Sequence, residues 1–199
     1  NILSLDMGGT TAKMCVIHNG KPILSNEFEA AREHRFKKGS GLPLKIPAIE
    51  LIEIGAGGGS IAYLDSMGLL KVGPESSGAD PGPACYGQGG KNPTVTDADL
   101  ILGFLNAEYF LGGEMKLYID ATLEAMNPII SSLKIDSAEL AAGIFEVVNE
   151  NMATATPGPP FWQIGSDGGL LNTPVKLDAA DPVMPRFLLL APGERADII

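Results

Sequence analysis

Cysteine is scarce in this chain. Its two copies, Cys15 and Cys85, stand far apart and form none of the spacings that bind zinc or frame a disulfide scaffold. Long apolar runs are missing too: no stretch approaches the roughly 18 residues a membrane helix needs. The N-terminus shows no charged-then-apolar leader pattern, and cytoplasmic residence is the expectation. Positive charge is sparse, with 14 Lys and Arg against 24 Asp and Glu and a formal net charge of −10. That balance excludes a basic nucleic-acid face and suits plain solubility. Charged residues make up 19% of the chain, below the usual quarter. An initiator Met is lacking and Ile198-Ile199 closes the sequence inside an apolar run, so both ends are expected to be cuts.

What the chain has in quantity is glycine and proline, 25 and 15 in 199 residues, with 45% hydrophobic residues between them. Tight turns linking apolar segments follow, not disorder. Ile2 to Leu5 reads as a strand ending in Asp6, and Ala12 to Ile17 as a second strand. Asn19-Gly20 is a two-residue hairpin signal that returns a third strand over Pro22 to Phe28. Arg32 to Lys45 is a basic, Gly-containing surface loop. Ile49 to Ile54 is a further strand, and Ile61 to Leu64 pairs with Leu69 to Val72 around Asp65-Ser66-Met67-Gly68. Residues 73–95 read as one long loop, a length that is usually functional. Thr96, with Asp99 three residues on, is expected to cap a helix burying Leu100, Ile101, Phe104 and Leu105. Asp120 to Ile130 reads as helical until Pro128 disturbs it. A helix capped by Asp136 or Ser137 runs to about Ala153, with Leu140, Ile144, Val147 and Val148 on one face. After Pro157-Gly158-Pro159-Pro160 the pattern changes. Phe161 to Ile164, Val175 to Leu177 and Arg186 to Leu190 are short strands between turns, as in a β-sandwich.

Two constellations can carry chemistry. In Asp6-Met7-Gly8-Gly9-Thr10-Thr11 a strand delivers a carboxylate, two glycines let the backbone turn, and amides and hydroxyls can meet a phosphate. Asp6 is a Mg²⁺ candidate, directly or through water, and Lys13 is near. The competing reading is an ordinary turn beside a solvated Asp. The second constellation is Gly55-Ala56-Gly57-Gly58-Gly59-Ser60, where four glycines allow close backbone approach. A bulge or sheet crossing is its plainer reading. It is not a P-loop, because no Gly-Lys-Ser or Gly-Lys-Thr follows. Asp80, Asp97 and Asp99 can add metal or substrate contacts, though helix N-terminal electrostatics suits Asp97 and Asp99 better.

Seven ordered motifs carry a family resemblance. They are Asp6–Lys13, Phe36–Gly41, Gly55–Ala62, Val72–Ser76, Gly78–Gly87, Pro93–Asp99 and Phe110–Gly113. Together they resemble the hydantoinase A/5-oxoprolinase family over residues 1–153. The resemblance implies an α/β fold: a truncated, partial actin-like ATPase (ribonuclease H-like) lobe with a hairpin-rich sheet and C-terminal helices. It implies ATP and Mg²⁺ as cofactors and phosphorylation of a carbonyl oxygen in a cyclic amide of 5-oxoproline or hydantoin type, or in a ketone to be carboxylated. By the same resemblance Asp6 and Thr10 are catalytic and Asp6 holds the metal. Asp6, Gly8, Gly9, Thr10, Thr11, Gly57, Gly58, Gly59 and Ser60 bind the cofactor. The implied partners are a second ATPase lobe or a hydantoinase B-type subunit, plus the small cyclic amide or ketone.

Phe161–Gly169, Pro174–Leu177 and Leu188–Asp197 resemble the middle cupredoxin domain of multicopper oxidases. Residues 161–199 are therefore expected to be a short β-sandwich fragment, fused through a junction at 154–160 and packing poorly on the rest. Histidine is too rare for copper, with His18 and His34 both outside the tail, so no copper site is expected. The sequence leaves three readings: an ATP-dependent hydrolase of cyclic amides inactive in this truncated form, an oxidoreductase remnant without copper ligands, and a non-catalytic lobe that binds a partner subunit.

Overall fold

The computed structural model describes residues 2–31, 33 and 39–152 with their side chains. It describes 153–154, 161–166, 169–177 and 195–198 as backbone. The strand alternation of the first segment sets the architecture. In β1 (Ile2–Met7), Leu3, Leu5 and Met7 are buried while Ser4 and Asp6 take the other face. β2 (Ala12–His18) returns antiparallel, pairing Met7 with Ala12 and Ile2 with Ile17. Asn19 and Gly20 both have positive φ (51° and 75°), as a type I′ hairpin requires.

The expected third strand over Pro22 to Phe28 does not form as one piece. β3 (Lys21–Pro22) pairs with His18 and Ile17, and the chain then leaves the sheet. It runs out through β4 (Leu24–Ser25) and β5 (Phe28–Ala30), and back through β6 (Leu42–Leu44) and β7 (Ala48–Ile49). β4 pairs with β7 and β5 with β6, making a two-stranded arm. β8 (Ile52–Ile54) rejoins β2 at Met14 to Ala12. β3 and β8 are thus one interrupted edge strand along β2. Pairing within the arm, not with the sheet, is what shortens the predicted strands on both sides of it. The basic residues Arg32, Arg35, Lys37 and Lys38 lie outside the described residues.

β9 (Ser60–Leu64) and β10 (Leu70–Ser76) form the expected hairpin. Asp65 closes its turn, with Oδ1 accepting from the amides of Met67 at 2.9 Å and Leu69 at 3.0 Å. Three helices complete the described core: α1 (Val95–Ile101), α2 (Ile119–Leu133) and α3 (Ser137–Thr154). α3 packs on α1, α2 and β10, and its Leu140, Ala141, Ile144, Val148 and Met152 share one buried apolar cluster with Leu3, Leu5, Met7 and Met14 of the sheet. Its cap is Asp136: Oδ1 accepts from Glu139 N at 2.8 Å, and Glu139 Oε2 accepts in return from Asp136 N.

Three expectations change here. The cap of α1 is Thr94 with Asp97, not Thr96 with Asp99, because Thr94 holds the extended backbone that precedes the helix. Phe104 lies past the end of α1 and is 50% exposed. Pro128 does not end α2. It sits on the exposed face, where water can serve the carbonyl that its missing N–H leaves free.

The tail also differs from a separate sandwich fragment. β11 (Phe161–Ser166), β12 (Gly169–Leu177) and β13 (Arg195–Ile198) extend the main sheet in the order β12-β11-β13-β1-β2-β3. β13 is antiparallel to β1, with Leu3 opposite Ile198 and Asp6 opposite Arg195. The second edge of β1 carries a row of backbone donors and acceptors, and pairing satisfies them. The expected strand over Arg186 to Leu190 and most of the junction, 155–160, lie outside the described residues. No helix among the described residues is long and apolar enough to cross a membrane.

Candidate functional site: a glycine turn on a buried glycine layer

Asp6 ends β1 and Ala12 begins β2, so residues 8–11 make the connecting turn. Gly8 N donates to Thr11 O at 2.9 Å. Asp6 and Gly9 are exposed, while Gly8, Thr10 and Thr11 are half-buried. A Cβ built on Gly9 would meet nothing within 4 Å, so this turn faces open space.

Beneath it lies the second glycine cluster. Ala56 to Ser60 are all buried. Gly58 N donates to Gly8 O at 3.0 Å, and Gly59 N donates to Gly9 O at 2.7 Å. Gly57 N donates to Ser60 Oγ at 2.9 Å, and Ser60 N to Gly57 O at 3.0 Å. The amides of Gly57, Gly58, Gly59 and Ser60 are all engaged inside the protein. The close approach that the glycines permit is therefore to the first turn. A Cβ on Gly57 would stand 2.6 Å from Thr10 N and 2.7 Å from Gly8 O. One on Gly59 would stand 2.9 Å from Gly9 O.

The consequence follows from peptide planarity. In a trans peptide the carbonyl of one residue and the N–H of the next point in opposite directions. Gly8 O and Gly9 O point inward to the buried layer, so the amides of Gly9 and Thr10 point outward. Two successive outward N–H groups are an arrangement that can meet an anion.

The charged groups around the turn lie in a row across the strands. Asp6 is opposite Lys13, and Lys13 is opposite Glu53. All three are exposed. Opposite charges on directly paired strand positions are favourable neighbours. Among the described residues no group of three His, Cys, Asp or Glu side chains could hold a metal ion. Asp6 offers one carboxylate, which suits Mg²⁺ only when phosphate and water supply the remaining ligands.

Asp97 proves to be a structural centre. Its carboxylate is fully buried and accepts from the amides of Ala84 (3.2 Å), Cys85 (2.7 Å) and Thr94 (2.9 Å). It also accepts from the hydroxyls of Thr94 (2.7 Å) and Thr122 (3.2 Å). The expected loop 73–95 thus divides: its first residues, to Ser76, belong to β10, and Asp97 ties Ala84 and Cys85, in a short 3₁₀ turn at Ala84–Tyr86, to Thr94. Asp99 is also buried and Asp80 is exposed, so the three aspartates do not share a site. Burial first, and the Asp97 charge second, push the Cys85 thiol far above its ordinary value. It is an inert core thiol.

The sequence pattern assigned Ser76 and Ser77 no part in the site and Thr96 only the role of a helix cap. Ser77 N donates to Gly59 O at 2.8 Å, Ser76 Oγ approaches Gly9 O at 3.5 Å, and Thr96 donates to Gly58 O. Their signal was the repeated pairing of hydroxyl residues with glycine, which no spacing rule marks. A separate concavity of about 620 Å³ lies among β8, the β9–β10 hairpin and the end of α3. None of its lining residues belongs to the turn.

Residues 1–156 match the profile of the hydantoinase/oxoprolinase family. The chain belongs to that family. The caprolactamase subunit alpha of Pseudomonas jessenii is 40% identical over 155 residues, 77% of this chain and 21% of that protein. The acetophenone carboxylase gamma subunit of Aromatoleum aromaticum is 37% identical over 158 residues, 78% of this chain and 20% of that one. A nucleotide-free structure of acetone carboxylase superposes with a TM-score of 0.64 at 28% identity, covering 74% of this chain and 20% of its own. The hydantoinase/oxoprolinase region is thus mixed α/β, and the chain spans about a fifth of the length of these relatives.

Proposed function

We propose that the hydantoinase/oxoprolinase region is the phosphate-binding part of an actin-like ATPase lobe. In this reading Gly9 and Thr10 present backbone N–H groups to the phosphates of ATP, and Thr10 and Thr11 add hydroxyl donors. Gly57 to Ser60 shape the turn from beneath. Asp6 takes one ligand position toward Mg²⁺, with Lys13 beside it to balance charge. The single observation that carries the reading is the inward anchoring of the Gly8 and Gly9 carbonyls, which turns two successive amides out. Bound ATP would supply the phosphoryl group that activates a carbonyl oxygen. The relatives named for caprolactam cleavage and ketone carboxylation support a lactam, cyclic imide or ketone as the acceptor.

Phosphoryl transfer depends on positioning from both sides of the nucleotide. The described residues supply one face, so a second lobe or a hydantoinase B-type subunit is the proposed partner. Two of the relatives are named as subunits, which agrees. The chain alone is expected to bind ATP·Mg²⁺ weakly and not to turn it over. For residues 157–199, beyond the family match, a cupredoxin origin rests on the motif resemblance alone. With no histidine in that segment, no oxidase chemistry is proposed.

Titrating the ¹⁵N-labelled chain with ATP·Mg²⁺ tests the reading. Gly9, Thr10 and Thr11 amides should shift together and saturably, ahead of any others. No selective shift by about 10 mM, where binding is worth under roughly 3 kcal/mol, would remove the phosphate role.

A further inference from the structure

We infer that Thr96, on α1 and remote from open solvent, is a positioning residue that aims the Thr10 amide through two stacked peptide planes. The inference rests on the phosphate reading above for its functional meaning, but its geometry stands alone. Thr96 is 1% exposed. It donates twice to one carbonyl: N to Gly58 O at 2.8 Å and Oγ1 to the same oxygen at 2.9 Å. Two donors on one oxygen occupy both lone-pair directions and fix the plane of the Gly58–Gly59 peptide.

The opposite end of that plane is Gly59 N–H, which donates to Gly9 O at 2.7 Å. Gly9 O in turn fixes the Gly9–Thr10 peptide, whose N–H faces outward. The line is therefore Thr96, the 58–59 peptide, the 9–10 peptide, then ligand. Hydrogen bonds in series polarise one another, so the inner donors also strengthen the outer N–H. The Gly9 amide belongs to a different peptide, held by Gly58 N on Gly8 O. Only its neighbour depends on the Thr96 hydroxyl.

The stack tolerates no side chain between its planes, as the 2.6 Å and 2.9 Å approaches at Gly57 and Gly59 show. Ser77, just past the end of β10, donates to Gly59 O by N at 2.8 Å and Oγ at 3.3 Å and braces the same layer. α1 itself is pinned by the Thr94–Asp97 capping box. These hydrogen bonds join the helix, the buried glycines and the turn, and among the described residues Thr96 supplies the only side-chain hydroxyl on Gly58 O.

The test compares Thr96→Val, which keeps shape and removes the hydroxyl, with Thr96→Ser, which keeps it. In the ligand-free 199-residue chain, ¹⁵N–¹H spectra of Thr96→Val should show the Thr10 and Gly59 amides displaced and Gly9 nearly still, with Thr96→Ser restoring both. Titration with ATP·Mg²⁺ should give a dissociation constant about fivefold higher for Thr96→Val, the worth of one buried hydrogen bond, and close to the parent for Thr96→Ser. A lowered melting temperature with Thr10 and Gly59 unmoved would overturn the inference, as would failure of serine to restore them. Displacement of Thr10 in a protein that binds no ATP would uphold the positioning and refute the phosphate reading. Gly57→Ala is a second lever: its Cβ must push the turn aside, and the amides of Gly8 to Thr10 should all move.

Discussion

At the scale of single residues, Asp97 illustrates why a motif-bearing carboxylate need not be a ligand. It accepts five hydrogen bonds from three amides and two hydroxyls, all buried. Replacing it with alanine leaves those donors facing an apolar cavity. Asp97→Ala should cost at least about 3 kcal/mol, since each unsatisfied buried donor is expensive, and urea denaturation will read it as a lower midpoint. An unchanged midpoint would mean that another acceptor serves the 84–94 loop. The sequence pointed to Asp97 as a charge near a helix start and as a candidate metal or substrate contact. A capping pattern two residues earlier, Thr94 followed by Asp97, was legible in principle. It was obscured because Thr96 and Asp99 offer the same spacing two residues on. Only the extended backbone of Thr94 distinguishes them. The Asp6–Thr11 turn was readable for the opposite reason: its strand, glycines and return strand are all local.

Elements were legible where their periodicity was complete. The α3 face of Leu140, Ile144 and Val148 and the alternation of β1 appear in the structure as the pattern requires. The arm of residues 23–51 was not legible. Its strands pair only with each other, and their two- and three-residue lengths carry no period. Leu24, Phe28, Leu42, Leu44, Ile46 and Ile49 are 43–67% exposed there, so burial gave no pattern to read. The β9–β10 turn makes a pH prediction at this scale. The Leu69 amide, the largest cause, outweighs an opposing desolvation and, with the Met67 amide and the Lys71 charge, holds the Asp65 carboxyl below its ordinary value. A group depressed in the folded state stabilises above its unfolded pKa, and that contribution is lost as pH falls through the folded one. The Met67 and Leu69 amides should therefore keep their protection at neutral pH and lose it only in acid below the usual carboxylate range. Hydrogen exchange corrected for its intrinsic pH dependence will show this, and Asp65→Asn should abolish the transition. A midpoint at or above the usual carboxylate value would contradict the turn geometry.

On the scale of the whole molecule, the main described apolar core is drawn from residues 3–152, whereas β11, β12 and β13 attach by backbone pairing to one edge of β1. Ending the chain after residue 156 should therefore leave α3 and the inner face of β1 folded, with near-parent far-ultraviolet circular dichroism. The β1 amides facing β13 should exchange faster. Global unfolding of the shortened chain would show that the added strands complete the fold and do not merely extend it. Sequence patterns marked the change of text near Pro157 but not this pairing, because an edge strand selects its partner by backbone groups that every residue carries.

The interrupted edge strand has a further meaning for how such a chain can be rewritten. Ile23 N still bonds Val16 O, and Ile52 lies opposite Met14. A single residue, the one facing Cys15, would bridge the gap, and Leu51 already stands at that place in the order. Joining Ile23 directly to Leu51 would restore one unbroken strand with every later side chain on its present face. The seam is therefore a neutral port in the fold: sequence can enter or leave there without a change of register, and a foreign peptide seated in it would be displayed on a ready-made stalk.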